Sequence, residues 1–152
     1  MKIPKIYIDT SVIGGCFDTE FRVTSRKLFD RIKLGLYKGL ISEITINELE
    51  DAPDKVKEFM KDFSKDELSL LKLNEDVNNL ALKYISEAVV SEKYFGDAMH
   101  IAIATIYDVD ILVSWNFKHI VNYNRIKKFN AINLKEGYKV LEIRSPKDLF
   151  YE

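Results

Sequence analysis

The chain has 152 residues, 47% of them hydrophobic, and a formal net charge of −1, enough for one domain with a full core and too little for a second ordinary one. Its single cysteine, Cys16, excludes an internal disulfide framework and a thiolate zinc centre, and reads as a buried thiol in an intracellular protein. No run approaches the roughly 18 apolar residues of a membrane span, and the N-terminal apolar stretch is too short for a signal sequence, so a soluble cytoplasmic protein that does not engage membranes is expected.

In chain order, Lys5 to Asp9 is predicted as a strand in which an apolar run ends on a carboxylate, with the following Gly14 and Gly15 letting the backbone turn sharply. Leu28, Phe29, Ile32 and Leu36 at helical spacing predict a helix over 24–36. A short strand follows at 38–42, then helices over 44–50 and from Pro53 to Met60, and a strand at 68–73. Asn74 caps a helix that carries Val77, Leu80, Ala81, Tyr84 and Ile85 on one face. The small-residue-rich segment 96–108 is a helix suited to close packing on a sheet, and 110–114 a buried strand. A polar turn leads to a helix over 117–128, an extended segment over 137–143, and a last helical turn at 145–150 with proline in its first position.

Short strands alternating with helices predict a mainly parallel sheet covered on both faces, a three-layer α/β/α sandwich. Ligands of such sheets bind beyond the carboxyl ends of the strands, where the strand order switches. Asp9 ends the first strand and Asn116 follows the fourth, so both point to one cleft. Two further carboxylates join them. Taken alone, Glu48 reads as a solvated helix glutamate beside an apolar face, and Asp97 as a helix cap. Together, three acids from distant segments at one sheet edge would repel one another unless a cation sat among them, and hard Mg²⁺ or Mn²⁺ prefers such oxygen ligands. His100, three residues after Asp97, reads as a packed or hydrogen-bonded residue, and His119 as a surface histidine.

The small net charge hides strong blocks. Residues 21–38 carry six basic residues against one acidic, and residues 118–139, which include Arg125, Lys127 and Lys128, carry the same balance. Residues 43–67 carry nine acidic against four basic. The basic blocks are candidate phosphate-binding surfaces. Other chemistries fit less well: there is no GxxxxGK[ST] loop, no GxGxxG, no Ser–His–Asp pattern, and Ser11 stands where a phosphoaspartyl hydrolase needs a second acid.

The ordered set "YIDTSVIGG", "SEITINELE", "GDAMHIAIA" and "ILVSWNFKHI" resembles the PIN domain, the metal-dependent ribonuclease fold of VapC-type toxins. The resemblance spans nearly the whole chain, read as one domain over 1–152 with a family-variable tail from about residue 130. It implies that Asp9, Glu48 and Asp97 hold Mg²⁺ or Mn²⁺, and that Ser114 and Asn116 orient water or substrate. Thr10, Ser11, Arg125, Lys127 and Lys128 would contact RNA. Products would carry a 5′-phosphate and a 3′-hydroxyl, the protein would be a homodimer, and its partner an antitoxin protein. Many PIN domains have an aspartate where this chain has Asn116, which adds no charge to the cluster. That departure leaves an alternative, a catalytically weak PIN-like module that binds RNA or protein.

Overall fold

Five strands, Lys5–Ile8 (β1), Lys38–Ser42 (β2), Leu68–Leu71 (β3), Ile111–Val113 (β4) and Ile143–Arg144 (β5), pair in the order β3-β2-β1-β4-β5, every neighbouring pair parallel. These elements belong to a computed structural model that describes residues 2–150. Successive side chains of a strand point to opposite faces, and here both faces are apolar. Tyr7, Leu40, Leu112 and Ile143 enter one core, while Ile6, Ile8, Ile41 and Val113 enter the other.

Helices cover both faces. Glu75–Ser86 (α5), Phe95–Ile106 (α6) and Tyr123–Lys135 (α7) pack on the Tyr7 side; Thr10–Gly15 (α1), Arg22–Lys33 (α2) and Asp54–Lys61 (α4) pack on the other. Glu43–Glu48 (α3) continues directly from β2, with Ser42 as its cap: the Ser42 hydroxyl accepts from the Ile44 amide at 3.2 Å. The expected α/β/α sandwich is present. Among the described residues no helix is long and apolar enough to cross a membrane.

Three expected elements differ. The helix placed at 117–128 runs instead over Tyr123–Lys135, because Asn122 caps it through the Arg125 amide at 3.2 Å. The Asn116 carbonyl holds the preceding turn by accepting from the amides of Ile120 and Val121. The extended segment at 137–143 pairs with the sheet only at Ile143–Arg144. The sharp glycine turn after Asp9 is a helix, α1, in which neither glycine has a positive φ. Close approach explains Gly15. A Cβ there would lie 2.6 Å from Ser25 Oγ and 2.9 Å from Trp115 Nε1.

Gly15→Ala is therefore expected to destabilise the fold by about 1–3 kcal/mol through overpacking of Ser25 and Trp115. Denaturant melts against wild type check this; an unchanged midpoint would mean that the contact relaxes freely.

Candidate functional site

β1 lies between β2 and β4 at the point where the strand order switches, and its last residue delivers the chain to Asp9. The Asp9 amide donates to the Val113 carbonyl at 3.0 Å, so β1 and β4 reach the edge together, with Asp9 and Ser114 side by side. Both are buried. Glu48 arrives as the last residue of α3 and Asp97 in the first turn of α6. The four segments share one edge, the expected crevice of an open parallel sheet.

Each acid is held by one oxygen. Asp9 Oδ2 accepts from Ser11 Oγ at 2.6 Å and from Ser114 Oγ at 2.7 Å. Glu48 Oε1 accepts from Thr10 Oγ1 at 2.6 Å and from His100 Nε2 at 2.5 Å. Asp97 Oδ2 accepts from Asn116 Nδ2 at 3.3 Å. Among the described residues the other oxygens, Asp9 Oδ1, Glu48 Oε2 and Asp97 Oδ1, accept no hydrogen bond; Asp9 Oδ1 stands 3.5 Å from His100 Nε2.

His100 is packed and hydrogen-bonded, as its sequence position suggests, but its partners among the acids were not foreseen. It is fully buried on α6, Nε2 facing Glu48 and Asp9, and Nδ1 lying 2.7 Å from the Tyr7 hydroxyl. The i, i+3 spacing from Asp97 was the available signal, since it puts both on one helix face. Burial pushes the imidazole pKa down, but the hydrogen bond to Glu48 and the charges of Asp9, Glu48 and Asp97 outweigh it, leaving the pKa raised. When charged, both ring nitrogens donate, and the Tyr7 hydroxyl in turn donates a hydrogen bond to Ser42 Oγ, 2.8 Å away. Burial also acts against the Glu48 charge, yet the hydrogen bond and charge of His100, with the Thr10 hydroxyl, hold its pKa below the usual value. Asp97 goes the other way: burial, then the charge of Asp9, push it up to about 6.

The expected site residues divide into two groups. Asp9, Thr10, Ser11, Glu48, Asp97, Ser114 and Asn116 come together. Ser114 and Asn116 contact the acids: Ser114 donates to Asp9, and Asn116 turns its N–H towards Asp97 while its side-chain carbonyl oxygen accepts from the His119 amide at 2.9 Å. Arg125, Lys127 and Lys128 form no part of this network. Arg125 Nη1 donates to the Val89 carbonyl, Lys127 lies 5.3 Å from the Tyr123 ring centroid, and Arg125 and Lys128 line a separate polar cleft with Lys118. His119 is buried against Tyr94, not on the surface.

The donor set suits a hard cation. Each of the three acids keeps one oxygen without a hydrogen bond, and the charges of Asp9 and Glu48 add to burial in raising the Asp97 pKa. Among the described residues no three His, Cys, Asp or Glu side chains form a ready-made metal cage. Mg²⁺ does not need one, since it commonly keeps its waters and takes one or two carboxylates.

No protein-family model and no curated protein matches the sequence. Solved structures do match. A chain of a toxin–antitoxin complex from Klebsiella pneumoniae aligns at 18% identity over 75% of this chain and 88% of its own, with a TM-score of 0.56. VapBC2 from Rickettsia felis, bound to a DNA fragment from their promoter, aligns at 12% over 91% and 98%, with a TM-score of 0.60. This chain has the PIN-like fold. DNA-bound VapBC from Salmonella typhimurium aligns with that same fold at 16% identity over 94% of this chain and 98% of its own, with a TM-score of 0.59.

Asp97 and His100 both hold protons more tightly in the folded chain, so each stabilises the fold below its unfolded pKa, and that stability is lost as pH rises through the folded value. For Asp97 the loss runs from 3.8 through about 6, and for His100 it begins above 6.5. Glu48 has the opposite sign, its contribution lost as pH falls below 4.5 through its lowered value. In chelating buffer the melting temperature should fall as pH rises through about 6 and on above 6.5, and Asp97→Asn should lack the lower part of that fall. Parallel thermal melts decide it, and a wild-type curve rising over the range would sink the assignment.

Proposed function

We propose that this chain is a divalent-metal-dependent endoribonuclease that hydrolyses RNA phosphodiester bonds, and that it acts as the toxin of a toxin–antitoxin pair. The observation that carries the reading is the convergence of three singly engaged carboxylates at the strand-order switch. The toxin–antitoxin context is supported by its structural neighbours, which are such complexes. An antitoxin protein is accordingly the proposed partner, and a cytoplasmic homodimer the proposed state.

Asp9, Glu48 and Asp97 would hold Mg²⁺ or Mn²⁺. When bound, the ion supplies positive charge against the charge developing on the phosphate and makes water acidic enough to attack near neutral pH. The chain's own residues supply the positioning. Ser11 and Ser114 clamp one oxygen of Asp9, Thr10 and His100 clamp one of Glu48, and Asn116 clamps one of Asp97. Each clamp fixes which oxygen stays available. Lys118, Arg125 and Lys128, around their polar cleft of about 470 Å³, would neutralise the RNA backbone away from the acids.

A second reading, a weakly catalytic binding module, draws on His100. When protonated, the buried His100 imidazole beside Glu48 and Asp9 offsets part of the negative charge that would attract a metal ion. The two readings separate on one experiment. Asp9→Asn and Asp97→Asn should each abolish Mg²⁺- or Mn²⁺-dependent cleavage of a mixed RNA pool while remaining folded. The ion should raise the melting temperature of wild type much more than that of either variant. Wild type without ion-dependent cleavage would leave the binding module.

Asn116→Asp should tighten Mn²⁺ binding several-fold, about 1 kcal/mol after repulsion and desolvation offset the added attraction. Calorimetric titration tests it; equal or weaker binding would remove Asn116 from the ion's surroundings.

RNA affinity should fall steeply with salt, and the double substitution of Lys118 and Lys128 by alanine should flatten that slope by about 1.4. Lys127→Ala, whose ammonium lies over Tyr123, should change it less. Equal slopes for wild type and the double variant would return the polar cleft to an ordinary solvated surface.

A further inference from the structure

Beside the acids opens a cleft of about 530 Å³, bounded by Ser11 and Asn116, which hold Asp9 and Asp97, and by the rings of Phe21 and Trp115. The rings stack, their centroids 4.2 Å apart and their planes 20° from parallel. Trp115 is fixed in place: its amide donates to Ser11 Oγ at 2.9 Å and its indole N–H to Ser25 Oγ at 2.8 Å. With its one polar group engaged, the indole offers the cleft only aromatic surface. A Cβ on Gly14 would meet no heavy atom within 4 Å, so the space beside this residue is open.

The polar lining is selective. Asn116 has spent its carbonyl oxygen on His119 and turned its N–H to Asp97. Asp18 accepts from the Glu20 amide at 2.8 Å through Oδ1, and among the described residues its Oδ2 accepts no hydrogen bond. The cleft therefore combines an aromatic wall with a carboxylate acceptor. A phosphate would be repelled there. A flat, apolar-faced group carrying N–H donors fits, and an unpaired nucleobase is such a group.

We propose that this cleft receives one unpaired base of single-stranded RNA next to the bond cut, stacked against Phe21 and Trp115, with its amine donated to Asp18. The proposal rests on the ribonuclease reading. It makes adenine, cytosine and guanine preferred over uracil at that position, because uracil shows its single ring N–H between two carbonyl oxygens, which a carboxylate repels. The wall gives general affinity for bases. Asp18 gives the choice among them.

Trp115 is the only tryptophan of the chain, so its fluorescence reports on the cleft directly. AMP, CMP and UMP, which present no internal bond to cut, should each quench wild-type fluorescence in Mg²⁺ buffer. AMP and CMP should saturate at concentrations at least about threefold below UMP, and Asp18→Asn should bring the three within about twofold. Failure of every nucleotide to give saturable quenching, or tighter binding of UMP, overturns the proposal. In RNA cleavage, Phe21→Leu, which keeps an apolar side chain but removes the π face, should raise KM about fivefold with the larger part of its effect on KM instead of kcat. An unchanged KM overturns it as well. The two readings fail separately: ordered quenching by a protein that cleaves no RNA removes the nuclease and keeps the cleft, whereas cleavage without quenching removes the cleft alone.

Discussion

One buried imidazole allows the acid cluster to exist in this fold. Three carboxylates at a single sheet edge repel, and Asp9 is taken out of water as well. His100 meets that cost from within α6, 2.5 Å from Glu48 and 3.5 Å from Asp9, while its other nitrogen leans on Tyr7 in the middle of the sheet. The same ring therefore links three levels of structure: the β1 core through Tyr7, the β2–α3 junction through Tyr7 and Ser42, and the acids themselves. It also sets the electrostatic balance. When protonated the ring offsets the negative cluster, so protonation of His100 and binding of a cation oppose each other, and the ribonuclease and binding-module readings differ in which of the two prevails.

The sheet explains why the acids meet at this edge and not elsewhere. β1 is flanked on both sides by parallel partners, and chain that leaves its carboxyl end must turn over the crevice between β2 and β4. Residues just after β1 and β4 then become neighbours despite a separation of about a hundred positions, as the Ser114–Asp9 hydrogen bond shows. Ser42 ends β2 and caps α3, which carries Glu48 to the same edge. The geometry follows from parallel pairing. Antiparallel neighbours would have sent one of these segments to the opposite end of the sheet.

The positions of Asp9 and Asp97 were legible in the sequence because one ends an apolar run and the other opens a helix, and such positions survive uncertainty of a residue or two in an element's bounds, whereas Glu48 by itself reads as an ordinary helix glutamate. The strands were legible for a related reason: alternate residues of β1, β2 and β4 enter two apolar cores, so each reads as a short continuous hydrophobic run. The misreadings come from interactions that leave no local pattern. Gly14 and Gly15 read as a turn, yet Gly15 is required by the approach of Ser25 and Trp115 from distant segments. The start of α7 depends on a cap at Asn122 that competes with the polar residues before it. His100 read as a packed or hydrogen-bonded residue and is both, but its partners stayed hidden because Tyr7 and Glu48 are 93 and 52 positions away.

Charge was the least legible property, because a sequence displays signs and hides partners. The basic run at 21–38 looks like a phosphate-binding face, but Lys33 pairs with Glu67 at 3.5 Å, Arg26 donates to the Cys16 carbonyl, and Lys27 and Arg31 lie over the Phe150 ring. Much of that positive charge holds α2 to its neighbours. In the second run Lys135 and Lys139 likewise face Glu87 and Asp108, which leaves Lys118, Arg125 and Lys128 around one cleft. Two blocks of equal formal charge are thus disposed differently: each has cations engaged within the fold, and the second also gathers Lys118, Arg125 and Lys128 on one cleft. The same sorting applies to the aromatic residues. Phe29, Phe59 and Phe63 pack on one another beneath α2 and α4, whereas Phe21 and Trp115, no more prominent in the sequence, share a stacked pair on the cleft beside the acids.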